Sequence, residues 1–588
     1  MTVVTTSALA APSIRFEVSF KEPQAHYAEI KMEISDLRKD HIDVKMPVWT
    51  PGSYLVREYA RHVESVEACD ADGAYLAVEK VNKNTWRIQS AKAKKVTFSY
   101  RIYGFEVSVR TNFIDDSHAF LSPAATFMYV DGMLDQPVEV TVIPHANWAN
   151  ISTGLETVAG KPNTFHAADF DILFDSPIEV GNQDVFTFDA AGVHHEIAMV
   201  GGGNYDKERL KADCAAIVEE ATAIFGVNPN KRYVFIVHNY QSGGGGLEHL
   251  NSTVLGASRN GYQSERSYVG FLGLVAHEYF HLWHVKRLRP FELGPFDYDN
   301  ENYTSALWIM EGFTAYYDNL LLRRCGFLDE SGYLQAIAND VNTIENRPGN
   351  KVQSAALASF DAWIKYYRPD ENSANTSVSY YNKGALLAML LDLKILTATQ
   401  GEKRLDDVLK AAYEKFYVRE RRGFREQELQ TLIEEVTGTS VAAIFDAAHA
   451  IGPLDYNGYL NAVGYELIDY NEGQERPDLG FTTAMTDGRV VVTGVTRGTG
   501  AWNGGINVKD EVLAINGERL DANGRELNRL VQSSVIGDQL DVLIARDGKI
   551  RELTITLSED TKGSFRIVPL QNASQQQKRL GQTWLSLN

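Results

Sequence analysis

Two histidines and a glutamate stand at a spacing that can bind a metal ion. They lie in the segment His277-Glu278-Tyr279-Phe280-His281. On a helix, residues four apart share a face, so both imidazoles can reach one ion. Glu278 then lies beside the water that the metal activates, where hydrolysis needs a general base. The spacing predicts one Zn²⁺ per chain and metal-assisted hydrolysis. The alternative is a pair of hydrogen-bonded histidines in a protein core.

A third metal ligand is expected from a second helix, because a catalytic zinc usually has three protein ligands and one open position. Glu311 is the best candidate, since it is the carboxylate within the otherwise apolar run 308–313. Asp318 follows two turns later on the same helix face and can hydrogen-bond a ligand histidine. For both acids the alternative is a solvated position on a helix surface.

A run of glycines at 243–246 precedes Glu248 and follows a short apolar segment that predicts a strand. Glycine lets a backbone approach a ligand closely, and an extended segment can pair with a bound peptide. No Gly-Lys-Ser/Thr follows, so the run is not a phosphate-binding loop. A flexible hinge is the alternative for the glycine run.

Further along, Tyr380-Tyr381 precedes an apolar helix and offers a phenol that could donate to a developing oxyanion. The alternative is an aromatic pair in the core.

The elements that must position these residues change character along the chain. Period-two alternation from Ile14 to about Phe188 predicts an antiparallel β-sandwich or saddle. Helical spacing dominates from about Asp206 to Ala450, and strands return at 479–557. The sequence therefore predicts a multidomain α+β protein with domains at 12–188, 189–460 and 465–562 and a tail at 563–588. The helices predicted around the site are 267–286, 304–324, 383–399 and 426–436.

Composition excludes several classes of protein. The 588 residues carry a net charge of −20, which argues against general nucleic-acid binding. Three scattered cysteines form neither a disulfide framework nor a thiolate zinc cluster. No apolar stretch approaches the roughly 20 residues of a membrane span. The tail carries an isolated Trp584-Leu585, which we expect to dock on a neighbour.

The N-terminal segment bears on location. Residues 2–11 end in Ala8-Leu9-Ala10, as the tail of a signal peptide would, but no basic residue precedes Arg15. We therefore expect a cytoplasmic protein; the alternative is a periplasmic one with a trimmed leader.

The zinc motif followed by Glu311-Gly312-Phe313 resembles the gluzincin aminopeptidases. More narrowly, the segment from His277 to Pro290, His-Glu-Tyr-Phe-His-Leu-Trp-His-Val-Lys-Arg-Leu-Arg-Pro, resembles the glycyl aminopeptidase family of metallopeptidases. Trp49-Thr50-Pro51-Gly52-Ser53-Tyr54 matches that family's N-terminal motif. One departure is His284, where relatives are expected to have Asn. His284 lies three residues past His281 and is either a spare metal ligand or a change to the pocket.

The resemblance implies a thermolysin-like catalytic domain with zinc on His277, His281 and Glu311. It implies that Gly245, Gly246 and Glu248 form the substrate strand, with Glu248 on the free amine of the peptide. It also favours Tyr381 over Tyr380 as the oxyanion donor, and N-terminal Gly, then Ala, as the residue removed. Three alternatives remain: a zinc endopeptidase, a peptide-binding protein with an inactive metal site, and an epoxide hydrolase such as one gluzincin relative.

The C-terminal strands resemble a bacterial-type PDZ domain. The resemblance rests on Leu479-Gly480-Phe481 and on the segment 500–517, which ends in Asn516-Gly517. Such domains capture a peptide C-terminus by strand addition. The alternative is a structural wing that shapes the active cleft.

Overall fold

The computed structural model describes residues 13–37, 39–521 and 525–586. The possible leader at residues 2–11 lies outside the described residues. None of the helices in these ranges is long and apolar enough to cross a membrane. The described chain has three successive regions, each with its own hydrophobic core, and the prediction of a multidomain α+β protein is confirmed.

The N-terminal region is built from short strands whose inward side chains alternate with polar ones. In β2, for example, Ala28, Ile30, Met32 and Ile34 are buried. The strands are β1 (Ser13–Ser19), β2 (Tyr27–Ser35), β3 (Ile42–Lys45), β4 (Val63–Asp70), β5 (Val78–Asn82), β6 (Thr85–Ile88), β7 (Lys95–Tyr103), β8 (Phe113–Ile114), β9 (Ala119–Leu121), β10 (Tyr129–Val130), β11 (Val138–Ile143), β12 (Asn150–Thr153), β13 (Glu156–Thr157), β14 (Thr164–Ala167) and β15 (Ile178–Gly181), with helix α1 (Phe170–Phe174) before β15.

The largest sheet of this region has the order β13-β14-β11-β1-β2-β7-β4. Its pairs are antiparallel except β1 with β11, which run parallel in register from Ile14 opposite Val138. A parallel pair requires a long crossover, and here the chain between β1 and β11 forms the other strands of the region. Period-two alternation predicts strands but carries no information about which strands pair in parallel.

The middle region joins a five-stranded sheet to a helical body. The sheet order is β16-β17-β18-β20-β19, so β19 lies at an edge. The expected domain boundary at 188 falls inside β16, whose partner β17 belongs to this sheet. The strands are β16 (Asp184–Ala190), β17 (Val193–Val200), β18 (Arg232–Tyr240), β19 (Gly246–Glu248) and β20 (Ser252–Ser258).

The helices of the middle region supply most of the largest core. They are α2 (Lys207–Phe225), α3 (Glu265–Phe280), α4 (Leu307–Arg324), α5 (Glu330–Glu345), α6 (Ala355–Phe360), α7 (Ser373–Thr376), α8 (Tyr380–Ala398), α9 (Leu405–Ala412), α10 (Glu426–Thr437), α11 (Ala442–His449) and α12 (Asn457–Leu460). Helix α2 ends at Gly226, which caps it with a left-handed φ of 76°.

The predicted helix 267–286 is too long at its C-terminal end, since α3 ends at Phe280. The ring Nδ1 of His281 donates to the carbonyl oxygen of His284 at 2.7 Å, which bends the following turn back toward the helix. The amide N–H of Lys286 donates to the carbonyl oxygen of His281, which lies five residues earlier instead of the four of an α-helix. This side-chain-to-backbone bond thus accompanies the end of the helix, where sequence periodicity alone predicts that it continues.

The C-terminal region is a small β-domain with a hydrophobic core of its own. The tight turns of this domain, Asp487-Gly488, Asn516-Gly517 and Asp547-Gly548, have positive φ at both residues, as two-residue hairpin turns of type I′ require. The elements of the C-terminal region are β21 (Tyr465–Asp469), β22 (Pro477–Asp478), β23 (Phe481–Thr486), β24 (Arg489–Val495), α13 (Gly500–Asn503), β25 (Glu511–Ile515), β26 (Glu518–Arg519), α14 (Arg525–Ser533), β27 (Gln539–Arg546), β28 (Lys549–Thr556), β29 (Ser558–Glu559), β30 (Phe565–Pro569) and α15 (Gln575–Leu585). Of these, β21, β30 and α15 pack on the core of the middle region.

The sequence predicts that the tail docks on a neighbour, but in the structure it packs on the helical body of its own chain. Helix α15 buries Trp584 completely, and its indole N–H donates to the hydroxyl of Tyr316 at 3.0 Å. A buried indole needs such a partner, and α4 supplies it within the same chain.

Candidate active site

The three predicted metal ligands converge on one point. His277 lies in the last turn of α3 and His281 caps it, while Glu311 lies in the second turn of α4. Nε2 of His281 lies 3.1 Å from Nε2 of His277 and 3.2 Å from Oε2 of Glu311. The same carboxylate oxygen is 3.6 Å from Nε2 of His277. The three side chains therefore present one nitrogen or oxygen each to a common centre.

The donor set fits a metal ion. Nδ1 of His281 donates to a backbone carbonyl, and Nδ1 of His277 lies 3.0 Å from the Asp318 carboxylate. Both rings therefore keep a lone pair on Nε2, and two lone pairs at 3.1 Å repel unless a cation lies between them. A tetrahedral zinc with bonds of about 2.0–2.1 Å spaces its ligand atoms about 3.3 Å apart. The observed spacings match that geometry.

Glu278 occupies the position expected of a general base. Its side chain is buried, and Oε2 has no hydrogen-bond partner among the described residues. Burial raises the pKa of Glu278 to about 7, although the two histidines beside it act in the opposite direction. A cation on the neighbouring ligands would act in the same direction as the histidines and lower the pKa of Glu278. Burial also acts to raise the pKa of Glu311, but His281 and His277 lower it to about 2.

Glu248 lies at one end of the same cleft, on the edge strand β19. Its carboxylate is buried and its Oε1 has no partner among the described residues. A carboxylate oxygen of Glu248, a carboxylate oxygen of Glu278 and a ring nitrogen of His281 all lie within 4.8 Å of one another. A buried carboxylate with a free oxygen is the group that an ammonium would neutralise. The adjacent Gly245 and Gly246 also line the cleft, so the backbone of the edge strand faces it.

Gly246 allows the edge strand to pass directly over Glu278. A Cβ atom built on Gly246 would lie 2.3 Å from Oε1 of Glu278, closer than any side chain can approach. Glycine is therefore needed at position 246 for this close backbone approach, and residues 246–248 form a paired strand with β20.

Of the two tyrosines that begin α8, Tyr381 lines the cleft and Tyr380 is buried behind it. The ring of Tyr381 stacks beside His277, with 6.3 Å between centroids. Burial raises the pKa of the Tyr381 hydroxyl well above its usual value, so the phenol keeps its proton and can act as a donor.

His284 does not join the metal cluster. Its Nδ1 lies 3.3 Å from Oγ1 of Thr314, and its ring stacks on Phe313 with 5.8 Å between centroids. Among the described residues, the groups able to hold a metal do not include it. The sequence-based expectation of a spare ligand is therefore not supported by its position.

The cleft also contains residues that spacing within the catalytic region could not reveal. Arg110, from the N-terminal region, donates to the carbonyl oxygen of Gly246 at 2.9 Å. Gly52 has a φ of 83°, and a Cβ atom on it would lie 2.5 Å from Oε1 of Glu248. The motif at 49–54 did point to this loop, but nothing in the sequence showed that it closes the Glu248 end of the cleft.

A second contact from the N-terminal region holds the residues that follow Glu248. Asp175 accepts from the amide of Leu250 at 2.8 Å, lies 3.0 Å from Nδ1 of His249 and pairs with Lys286 at 2.7 Å. This buried cluster connects β19 to the segment after the zinc motif. It gives His249 and Lys286 a structural role that the sequence did not indicate.

The cleft has a volume of about 500 Å³ and lies between a β-rich region, a helical body and an edge strand. Fold and site together define a metallopeptidase with an added PDZ domain. Residues 15–182 match the Peptidase M61 N-terminal domain, residues 270–387 the M61 glycyl aminopeptidase and residues 477–557 the PDZ domain. Two parts of the chain therefore match models of the M61 peptidases and a third matches the PDZ domain, and the chain is a metallo-aminopeptidase.

Comparison with solved structures gives the same architecture. The aminopeptidase N family protein from Idiomarina loihiensis aligns with a TM-score of 0.90 and 28% identity, over 97% of this chain and 100% of that one. The M1 zinc metallopeptidase from Deinococcus radiodurans aligns over 76% of this chain and 96% of its own, with 14% identity and a TM-score of 0.47. The latter likeness is too distant to support an argument. A search of the curated proteins found no match.

Proposed function

We propose that the protein is a zinc-dependent aminopeptidase that removes N-terminal glycine, and also alanine, from peptides. The observation that carries the proposal is the buried carboxylate of Glu248, whose Oε1 has no partner among the described residues, beside Glu278 and His281 in the cleft. An ammonium bound there would bring the first peptide bond, and no later one, to the metal ligands.

Each side chain of the site has a role in this reaction. Zinc held by His277, His281 and Glu311 would supply Lewis-acid activation of the scissile carbonyl and of the attacking water. Glu278 accepts the proton of that water and passes it to the leaving amine. Tyr381 donates its O–H to the carbonyl oxygen as negative charge develops there. Asp318 fixes the tautomer of His277 through Nδ1.

The preference for small first residues is supported by the closed end of the cleft. The loop at Gly52 lies directly against the carboxylate, since a Cβ on Gly52 would lie 2.5 Å from Oε1 of Glu248 and 2.7 Å from Cδ1 of Leu247. We infer that this close approach disfavours a large first side chain. We therefore expect glycine to be removed faster than alanine, and alanine faster than leucine.

The test compares glycinamide-type substrates with free and acetylated N-termini. We expect cleavage of a glycyl peptide and none of its acetylated form, and Glu248→Gln should weaken capture of the free amine by about 10-fold or more. Glu208→Gln, an exposed position on α2, serves as the matched control. Undiminished cleavage of the acetylated peptide would replace this proposal with an endopeptidase.

We also propose that the PDZ domain binds the C-terminus of a peptide at Leu479-Gly480-Phe481. Support comes from the sheet order, in which β23 is an edge strand with α14 in the same domain. A peptide can add to such an edge as a further strand. Fluorescence titration with a labelled peptide, with and without a C-terminal amide, tests this proposal, since amidation should abolish the binding.

A further inference from the structure

The cleft continues beyond the metal ligands as a trough between α3 and α4. We call it the apolar trough; it is lined by Val269, Gly270, Gly273 and Leu274 of α3, by Leu322 of α4 and by Leu328, which follows that helix. Val269, Leu274 and Leu328 are each only partly buried against the core, so part of each side chain faces the cleft. None of the six residues carries a charge.

The trough lies on the side of the ligands that is away from Glu248. Glu248 groups with Glu278 and His281, whereas His277 is one turn nearer the N-terminus of α3 and contacts Asp318. Leu274 and Gly273 lie about one turn before His277. Gly270 lies two turns before His277, a distance of about 10 Å along the helix axis. The order along the cleft is therefore Glu248, the ligands, and the trough.

The positions of Glu248 and the metal ligands set the direction of a bound peptide. With its amine on Glu248 and its first carbonyl at the ligands, its second residue must extend toward α3 and α4. We propose that the apolar trough binds the side chain of that second residue, so the substrates are peptides with glycine first and an apolar residue second. This inference rests on the proposed function and adds the second determinant of specificity.

The chemistry of the trough selects against charged second residues. Its walls provide aliphatic carbons, and burying an apolar side chain against them is favourable. Asp318 at its near end already holds His277 through Oδ2 at 3.0 Å. Among the residues found to line the cleft, the cationic one is Arg110, and its guanidinium donates a hydrogen bond to the carbonyl oxygen of Gly246 on the edge strand. A charged side chain in the trough would lose water without gaining a partner.

The test uses the zinc-loaded protein and a set of dipeptide amides that share glycine as the first residue. Release of glycine is measured for second residues Gly, Ser, Leu, Phe, Asp and Lys. We expect kcat/KM for Leu and Phe to exceed that for Gly by roughly 10-fold or more, and Asp and Lys to fall below Gly. Equal rates for Leu, Gly and Asp would overturn the inference but leave the aminopeptidase intact. Cleavage of none of the amides would overturn the proposed function, and this inference with it.

Variants of the trough give a second readout. A Cβ atom on Gly270 meets no atom within 4 Å, so Gly270→Leu can fill the trough without moving the backbone. We expect the Leu-to-Gly ratio to fall by about 5-fold or more. Glu208→Leu adds the same side chain at an exposed position of α2, which does not line the cleft, and should leave the ratio unchanged. Should Gly270→Leu fail to fold, as judged by thermal unfolding, Leu328→Ala removes one wall and should lower the ratio by about 3-fold. An unchanged ratio in either folded variant contradicts the inference.

Discussion

Gly312 of α4 and Gly384 of α8 lie backbone against backbone: a Cβ atom on Gly312 would be 2.4 Å from the Cα atom of Gly384. In the other direction, a Cβ on Gly384 would lie 2.3 Å from the carbonyl oxygen of Trp308. Gly312 follows the ligand Glu311, and Gly384 lies one turn after Tyr381. The contact between two glycines therefore sets the distance between the metal cluster and the phenol.

Gly384→Ala should separate these helices. Overpacking of this kind typically costs about 1–3 kcal/mol, so we expect a lower free energy of unfolding in denaturant titrations and a reduced kcat. Gly273→Ala on α3 is the control for stability, because its Cβ would meet only Leu322 Cδ1 at 3.5 Å. Equal stability of the two variants would show that α4 and α8 tolerate a wider spacing.

Tyr381→Phe removes the proposed oxyanion donor. We expect kcat to fall by about 10²-fold while KM changes little, because the hydroxyl interacts with charge that develops only in the transition state. Tyr380→Phe is a closely matched control, since the Tyr380 hydroxyl is buried and has no partner among the described residues. A change confined to KM in Tyr381→Phe would assign the hydroxyl to substrate binding.

The residues of the site differ in how far the sequence alone could predict them. Helical spacing predicts the two histidines on one face, and an isolated acid in an apolar run suggests Glu311, because both signals are local in the chain. Arg110 and Gly52 lie 136 and 196 residues before Gly246 and Glu248, and only the fold brings them together. No local pattern encodes such contacts, and the end of α3 at Phe280 likewise depends on one side-chain-to-backbone bond.

Glu278→Gln should retain the metal and lose activity. The amide cannot accept the proton of water, and loss of a general base typically costs about 10²–10⁴-fold in kcat. Metal content is measured by atomic emission on the same preparation, with Glu208→Gln as the exposed control. Retained turnover with one bound zinc would require a different base.

Arg110→Ala should weaken substrate binding. Arg110 holds the carbonyl of Gly246, and therefore the edge strand, through a bond at 2.9 Å. A hydrogen bond from a charged group contributes about 1.5–3 kcal/mol, which corresponds to about 10–150-fold in kcat/KM. We expect Arg110→Lys to recover part of the loss, because it keeps the charge and one donor. A loss that is equal in both variants and confined to kcat would argue for a role in the chemical step.

His284→Asn tests whether this histidine affects the metal. Its ring lies against Phe313 and Thr314, while its backbone carbonyl, which the substitution keeps, accepts from His281 at 2.7 Å. We therefore expect one zinc per chain in both proteins and zinc affinities within about 3-fold, since the bond that orients His281 is preserved. The affinities are compared by competition with a chromophoric chelator. A second equivalent of zinc in the unsubstituted protein, lost in His284→Asn, would instead make the ring a ligand.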